Sequence, residues 1–384
     1  MDTAQREQIL AFRLATHHLT SRLDASALVD AAASCGIQET PTGSAALAFA
    51  ARVEDVTPES LQLASAEQRA LVTLWSVRGA PYVVPTAAFD AFSVGALPLD
   101  GPSFRRALGG WATALAEAGL DPFETLDQLV AAAWEALDGR RLNVNDLRDE
   151  LFASVPGLAG VSRPAGAHAD MPEPLFRAIG ARGVACIVAG RGTDAELART
   201  DHWLGGHRAE PDRAAARAEL ARRFLHGYGP ATPQQFADWT QRSPRDAKDA
   251  FAAIADELVE VAVDGRPAWL LRRDEEVFAS PPQPRGARLL PPQDPFLQQR
   301  DRATLLSDEA ARRQLWRPVR GPGGVLVDGE VVGTWRSRTA RSRVEVTVEP
   351  FGVLPRQARG ALEAEAERLA AARGAAGVEV AYTD

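Results

Sequence analysis

Apolar residues near the start of the chain recur at helical spacing and are followed by two short apolar runs. Leu14, Leu19 and Leu23 mark the first helical stretch. Residues 71–77 and 82–84 are rich in β-forming residues and flank an Arg-Gly-Ala-Pro turn, which predicts a β-hairpin. Helices followed by a hairpin are the order of a winged-helix module. We therefore predict a first winged helix over residues 1–120.

A second module is predicted over residues 121–210. Asp121-Pro122 is a strong helix start, because Asp caps the orphan N–H groups and Pro fits the first helical position. A helix is expected to 138, a shorter one over 143–152, and a strand over 184–188. The Pro/Gly/Ala-rich stretch 156–174 predicts a loop.

The third module, residues 211–284, has the clearest pattern. A helix over 213–225 precedes two further helices that begin at Thr232-Pro233 and Ser243-Pro244. The apolar runs 258–263 and 268–271 flank Asp264-Gly265, which is typical of a tight hairpin turn. The helix that begins at Pro244 takes the recognition position of a winged helix.

The C-terminal region, residues 285–384, changes to a pattern dominated by strands. A hairpin is predicted over 325–335, a strand over 344–348, a helix over 356–373 and a last strand over 378–382. The predicted fold class is therefore α+β, with tandem winged-helix modules and a C-terminal β-rich domain.

The amino-acid composition limits which classes of protein this sequence can belong to. The 384 residues carry a net charge of −8, yet residues 285–345 hold twelve arginines against seven acidic residues, a local charge of +5. Lys248 is the single lysine. Two distant cysteines, no long apolar run and a polar N-terminus predict a cytoplasmic protein without a membrane segment. We expect a monomer.

Several motifs resemble the AlkZ/YcaQ-like family of crosslink-repair DNA glycosylases. Three groups of residues carry the resemblance: the run 228–233 with Phe236 and Trp239; the segment 288–302, with Arg-Leu-Leu-Pro, Asp-Pro-Phe and Arg-Asp-Arg; and the segments 327–335 and 348–351. Trp75, Arg78 and Gly79 fit the family's first wing. The resemblance implies tandem winged helices, binding of double-stranded DNA, alkylated or crosslinked, and removal of N7-alkylated guanine without a cofactor.

The resemblance also implies a catalytic turn. Family members carry Gln-x-Gln or Gln-x-Asp in the first module, and the matching residues here are Gln38, Glu39 and Thr40. Side chains two residues apart in an extended turn point the same way and can hold one water. We predict that Gln38 positions this water, with Thr40 or Glu39 assisting. Thr40 stands where the family has its second Gln or Asp.

Ten residues are predicted to contact DNA. For each group a structural alternative stays open: bracing of the wing, an internal ion-pair cluster that fixes the domain junction, or a solvated helix face. Tyr82 is included because many family members carry His there. The candidates are Arg78, Tyr82, Arg242, Arg245, Lys248, Asp294, Arg300, Arg302, Arg336 and Arg338.

Other chemistries find little support in the sequence. The histidine spacing does not match a zinc site, and neither a nucleophile elbow nor a dinucleotide fingerprint is present. Two alternatives to a glycosylase remain. Thr40 motivates a DNA-binding protein without catalysis, such as a regulator or lesion sensor, and the negative net charge motivates an adaptor that binds proteins.

Overall fold

A computed structural model describes residues 3–98, 101–161, 174–190, 194–206, 211–340, 342–354 and 356–383. Its α-helices are α1 (Thr3–Thr16), α2 (Leu28–Ala33), α3 (Ser44–Ala50), α4 (Pro58–Gln62), α5 (Phe89–Phe92), α6 (Gly101–Leu108), α7 (Gly110–Glu117), α8 (Pro122–Ala136), α9 (Val144–Ser154), α10 (Pro174–Ala181), α11 (Thr200–Leu204), α12 (Arg213–Tyr228), α13 (Pro233–Thr240), α14 (Pro244–Ala252), α15 (Glu275–Ala279), α16 (Arg302–Leu305), α17 (Glu309–Leu315) and α18 (Arg356–Ala372).

The β-strands lie in the gaps between these helices. They are β1 (Ile37–Gln38), β2 (Leu71–Trp75), β3 (Pro81–Pro85), β4 (Arg141–Asn143), β5 (Ala185–Ala189), β6 (Glu196–Arg199), β7 (Leu258–Val263), β8 (Arg266–Leu271), β9 (Ala287–Leu290), β10 (Gly323–Val327), β11 (Glu330–Ala340), β12 (Arg343–Pro350) and β13 (Gly377–Tyr382). The mixture of helices with largely antiparallel strands confirms the predicted α+β class.

The chain forms two units, and it passes between them more than once. Unit 1 comprises Met1–Ala64, Arg222–Phe236 and Ile254–Asp384, and unit 2 comprises Ser65–Ala221 and Ala237–Ala253. Residues 211–284, predicted as the third module, are thus shared between the units. The division into four winged-helix modules remains a prediction.

Unit 2 is built on strands that run in the order β3-β2-β5-β6-β4. Strands β2 and β3 pair from Leu71↔Pro85 to Trp75↔Pro81, which confirms the predicted first hairpin. Its turn places Arg78 at φ 58° and Gly79 at φ 67°, so the glycine relieves strain at a left-handed position. Helices α6–α9 pack a core around Trp111 and Leu126.

Helix α8 begins where the sequence predicted it. The Asp121 carboxylate accepts hydrogen bonds from the N–H groups of Phe123 and Glu124, and Pro122 occupies the first turn. The region after it differs from the prediction. Strands β4 and β6 and helices α10 and α11 were not predicted. Strand β4 is only three residues long, and α10 begins at the last residue of the predicted loop 156–174. Of that loop, residues 162–173 lie outside the described part of the chain.

Unit 1 contains a five-stranded sheet in the order β13-β12-β11-β10-β9. All neighbours are antiparallel except β12 and β13, which are joined by the crossover helix α18. The hairpin β10–β11 and the last strand confirm the predicted pattern. A Cβ built at Gly323 would lie 2.3 Å from Leu290 O and 2.3 Å from Trp335 Nε1, so only glycine fits against this buried tryptophan.

The hairpin β7–β8 also belongs to unit 1 and confirms the prediction around Asp264-Gly265. These two residues have φ of 50° and 69°, as a tight two-residue turn requires. Ala231 forms an isolated antiparallel bridge with Trp269 at the edge of the hairpin.

Helix α14, in unit 2, begins at the predicted Pro244, and the Ser243 hydroxyl accepts a hydrogen bond from Asp246 N.

Two kinds of functional feature are absent from the described residues. None of the helices there combines the length and the apolar character that a bilayer crossing demands. No group of three or more His, Cys, Asp or Glu side chains gathers there in an arrangement that would hold a metal ion.

Candidate functional site

Gln38 lies at the end of strand β1, and its side chain is held by a second glutamine. The residue is only 6% exposed, and its Oε1 accepts a hydrogen bond of 2.9 Å from Gln298 Nε2. Gln298 also donates to Gln293 O at 2.8 Å. The Ser44 hydroxyl donates to the backbone carbonyl of Gln38. The carboxamide of Gln38 is therefore buried in contact with polar groups.

Glu39 caps the N-terminus of helix α3. Its two carboxylate oxygens accept hydrogen bonds from Gly43 N at 2.7 Å and Ala45 N at 2.8 Å, at the first turn of α3. These N–H groups have no partner within the helix, and a carboxylate stabilises them strongly. Both hydrogen bonds give Glu39 a structural role at the start of α3, and its assistance in catalysis stays a prediction.

Thr40 is the other residue predicted to assist Gln38. It is half-buried, and its hydroxyl forms no hydrogen bond with another residue of the described ranges. A threonine hydroxyl both donates and accepts, but it is shorter than a glutamine carboxamide and carries no charge. The turn therefore presents one carboxamide and one hydroxyl.

A buried ion pair lies at the start of the short helix that carries Gln298. Arg52 and Asp294 are each 1% exposed and form two hydrogen bonds of 2.8 and 2.7 Å. Asp294 Oδ1 also accepts from Phe296 N, which caps the 3-10 helix Pro295–Gln298. Burial would lower the pKa of Arg52, but the charge and hydrogen bonds of Asp294 outweigh it and raise that pKa.

This geometry corrects the prediction for Asp294. A carboxylate that is fully buried against Arg52 is not available to DNA. The pair supports the alternative, an internal ion-pair cluster that fixes the domain junction. Sequence reasoning did not single out Arg52 or Gln298, because their partners Asp294 and Gln38 are remote along the chain. Only the resemblance of segment 288–302 pointed to this part of the protein.

A buried histidine lies in the same unit. His17 is 2% exposed, and its Nε2 donates to Gly227 O at 3.0 Å. Burial, followed by the charge of Arg52, lowers the pKa of His17 well below its usual value. Cys35 is also buried, and desolvation raises the pKa of its thiol to about 12. His17 is therefore a neutral core residue, and Cys35 is an unreactive thiol.

The neutral, buried state of His17 predicts acid sensitivity. The folded protein keeps His17 unprotonated, whereas the unfolded chain protonates it below about pH 6.5. Stability should therefore be complete above that pH and fall as the pH decreases below it, by up to about 1.4 kcal/mol per pH unit for this group. Urea unfolding at pH 7.5, 6.5 and 5.5 measures the slope, and His17→Asn should flatten it. An equal slope in both proteins would contradict this assignment.

Two of the predicted DNA contacts are buried in unit 2, which contradicts their assignment. Arg242 is 3% exposed, pairs with Asp246 at 3.3 Å and donates to Gly95 O. Burial lowers the pKa of Arg242 to about 10. Tyr82 is 1% exposed, and its hydroxyl accepts from Arg78 Nη2 at 3.1 Å. Both side chains face the interior, where DNA does not reach them.

Arg78 has a bracing role at the β2–β3 turn. Its Nη1 donates to Trp239 O at 2.6 Å, and its Nη2 reaches the Tyr82 hydroxyl. This supports the alternative that Arg78 stabilises the wing. Its half-buried position leaves a DNA contact as a prediction.

The other candidates are at least partly exposed, and their contact with DNA stays a prediction. Arg336 Nη1 donates to Arg320 O, and Arg338 forms an exposed ion pair with Glu345. Arg302 stacks on Trp316, with its guanidinium carbon 4.8 Å from the ring centroid. Three further residues complete the set: exposed Arg245 and Lys248 on α14, and half-buried Arg300.

Comparison with known proteins agrees with the resemblance in the sequence. A curated protein of Streptomyces sahachiroi, named interstrand DNA cross-link repair glycosylase, is 28% identical over 387 residues, which cover 97% of each chain. The solved structure of Streptomyces sahachiroi DNA glycosylase AlkZ superposes with a TM-score of 0.79 at 24% identity, and the match covers 100% of both chains. The model of the family described as DNA glycosylase AlkZ-like matches residues 31–372. This chain therefore belongs to the AlkZ-like DNA glycosylase family.

Proposed function

We propose that this protein is a monofunctional DNA glycosylase that hydrolyses the N-glycosidic bond of bulky or crosslinked N7-alkylguanine in duplex DNA. Membership of the family supports the glycosylase activity, and the name of the Streptomyces relative supports a crosslink as the substrate. The observation that carries the proposal is the Gln38 carboxamide, which the Gln298 amide holds in the turn that matches the family's catalytic signature.

Hydrolysis of the N-glycosidic bond of an N7-alkylguanine requires little assistance from the catalytic residue. An N7-alkylated guanine is already cationic, so it leaves without protonation by the enzyme. The protein has to place a water next to the sugar carbon and orient it for attack. A carboxamide has an acceptor oxygen and a donor NH₂, so it orients water without carrying a charge. Gln38 takes this role, and Gln298 restricts the rotation of its side chain.

Thr40 completes the turn as the second water contact. Its hydroxyl is two residues beyond Gln38, the spacing at which side chains of an extended segment share a face. Because the hydroxyl is shorter than a carboxamide, the water is held less firmly than by two glutamines. We therefore expect a rate lower than that of a turn with Gln at both positions.

The activity is tested with a duplex that contains a single N7-alkylguanine. Wild-type protein should release free base faster than spontaneous depurination, and it should leave an abasic site with an intact strand. Thr40→Gln should raise the rate about tenfold, equivalent to about 1.4 kcal/mol of barrier, because a second carboxamide then holds the water. Thr40→Val, which keeps the shape and removes the hydroxyl, should lower it. Release at the spontaneous rate by all three proteins would refute the proposal.

A second candidate function is lesion binding without catalysis. Both carboxylate oxygens of Glu39 accept hydrogen bonds at the cap of α3, and Thr40 is uncharged, which disfavours a carboxylate base in this turn. A lesion sensor would bind alkylated duplex more tightly than undamaged duplex and release no base. The base-release assay and a binding titration on the same duplexes separate the two functions.

A further inference from the structure

A short loop between helix α17 and strand β10 in unit 1 carries an exposed apolar tip. This 316–320 loop has only its first residue half-buried, and the other four are exposed. Val319 is 77% exposed, and Pro318 precedes it. A Cβ built at Gly321 would lie 3.2 Å from Arg317 O, so the chain turns back on itself closely at this point. The loop is therefore a compact turn that presents a proline and a valine to solvent.

The first residue of the loop connects it to the candidate catalytic turn. Trp316 Nε1 donates to Leu297 O at 2.9 Å, and Leu297 immediately precedes Gln298 in the same short helix. The exposed Arg302 stacks on the Trp316 ring, with its guanidinium carbon 4.8 Å from the centroid. Because Gln298 in turn donates to Gln38, the loop and the glutamine turn are held by one segment of unit 1.

The acidic residues near the loop do not compensate its positive charge. Residues 300–320 contain six arginines and three acidic residues. Each of these three carboxylates already has a role within the protein: Asp301 pairs with Arg13, Asp308 caps α17, and Glu309 pairs with Arg313. The arginines of the loop therefore have no counter-charge from this part of the sequence.

Arg317 and Arg320 flank the apolar tip, and both are exposed. Among the residues that the structure describes, no acidic side chain pairs with either of them. Arg336 of β11 donates to Arg320 O, a neutral acceptor, and so adds a third positive charge. Arg320 also has φ of 50°, a strained conformation for a residue with a side chain. Such a surface attracts a polyanion, whereas it would repel an identical surface on a second copy of the chain.

Arg302 adds a fourth positive charge beside the loop. Its partial burial lowers the pKa of its guanidinium, and no neighbouring charge contributes to that shift. The tryptophan ring holds this guanidinium in place without neutralising it. An anion from outside the chain would supply the missing counter-charge.

We propose that the 316–320 loop binds in the minor groove of duplex DNA, with Pro318 and Val319 against the base edges and Arg317 and Arg320 on adjacent phosphates. The major groove admits a helix or a two-stranded ribbon, whereas a single short loop fits the narrower minor groove. Proteins that bind there combine arginine with apolar side chains that wedge between base steps. The inference rests on the proposed function only in taking duplex DNA as the ligand.

The phosphate contacts are tested with the double variant Arg317→Met with Arg320→Met. Binding of an undamaged duplex is measured between about 50 and 200 mM salt. The variant should weaken binding about tenfold or more at the lowest salt, and it should reduce the slope of log K against log salt by about 1.8, the value for two phosphate contacts. The control, Arg140→Met with Arg313→Met, removes two arginines that are paired with exposed acids, and it should keep the wild-type slope. Equal slopes for the loop variant and wild type would overturn the proposal.

The apolar contact is tested with Val319→Ser, for which the chain offers a matched control. Val353 is also fully exposed in unit 1, and Val353→Ser should bind DNA like wild type. Val319→Ser should weaken binding about fivefold at every salt concentration, because it removes apolar area but no charge. A duplex that contains 2-aminopurine reports unstacking as increased fluorescence. Wild type and Val353→Ser should increase it and Val319→Ser should not; no increase with wild type would overturn the insertion of the tip.

Thermal unfolding and sedimentation test two other roles for the loop. Both loop variants should unfold at the wild-type midpoint, because the replaced side chains are exposed. A lower midpoint for Val319→Ser with unchanged DNA affinity would show that the loop is structural. Sedimentation of the DNA-free protein examines self-association. A dimer that Val319→Ser converts into a monomer would assign the loop to a second copy of the chain and overturn the DNA assignment.

This inference and the proposed function fail independently, because loop binding is measured on undamaged DNA. Wild-type base release at the spontaneous rate, with weaker DNA binding by both loop variants, would refute the proposed function and leave this inference intact. Base release above the spontaneous rate, with wild-type DNA binding by both loop variants, would do the reverse.

Discussion

Gln38→Ala is expected to reduce base release from an N7-alkylguanine duplex by about 10²–10³-fold, equivalent to about 2.7–4 kcal/mol of transition-state stabilisation. The substitution removes the carboxamide that orients the attacking water. The neighbouring hydroxyl of Thr40 remains, but a single short group does not fix the direction of a water molecule. The measurement is single-turnover base release with enzyme in excess over the duplex.

Two further measurements test whether the loss of rate arises in the chemical step. Affinity for the alkylated duplex should stay within about twofold of wild type, because Gln38 contributes to chemistry more than to DNA binding. Gln298→Leu is the matched positioning variant: it removes the 2.9 Å hydrogen bond but leaves Gln38 in place. It should lower the rate less than Gln38→Ala and leave the affinity for DNA unchanged. If Gln38→Ala releases base at the wild-type rate, the catalytic assignment is wrong.

Asp294→Ala is expected to give the largest loss of stability, about 3–5 kcal/mol. The substitution leaves Arg52 fully buried with its charge uncompensated, and it also removes the cap from the 3-10 helix Pro295–Gln298. Urea unfolding followed by circular dichroism measures the change as a lower midpoint at a similar slope. A loss of less than about 1 kcal/mol would show that water or another group replaces the carboxylate.

Two controls distinguish the stability lost through an uncompensated buried charge from the stability lost when any ion pair is broken. Glu150→Ala breaks the exposed pair with Arg140 and should leave the unfolding midpoint unchanged. The double variant Arg52→Met with Asp294→Leu replaces the buried pair by apolar groups of similar size, and it should recover much of the stability lost in Asp294→Ala. If the double variant is no more stable than the single one, the loss comes from the missing cap.

Local patterns in the sequence were sufficient for most of the fold. The hairpins at Asp264-Gly265 and Asp328-Gly329 were predicted because two-residue turns with positive φ have a specific composition. Helix starts at Asp121 and Ser243 were predicted because their capping signals lie within four residues. Strand β4 and helix α10 were missed because a three-residue strand and a short helix after a Pro-rich segment carry too few periodic positions.

The site was harder to predict, because the roles of identical residue types depend on their environment. Arg242 and Arg245 are three residues apart, yet the first is buried against Asp246 and the second is exposed. Glu39 caps a helix that begins five residues later, which competes with any catalytic use of its carboxylate. The partners Arg52 and Asp294 are separated by 242 positions, and no local pattern relates them.

The order of the two units along the chain constrains how the protein folds as it is synthesised. The first 64 residues belong to unit 1, but the ribosome then produces most of unit 2 before unit 1 resumes at Arg222. Arg52 therefore leaves the exit tunnel long before Asp294, and Arg13 long before Asp301, its partner at 2.8 Å. The N-terminal helices must remain without these partners, exposed to chaperones and proteases, until the last third of the polypeptide emerges.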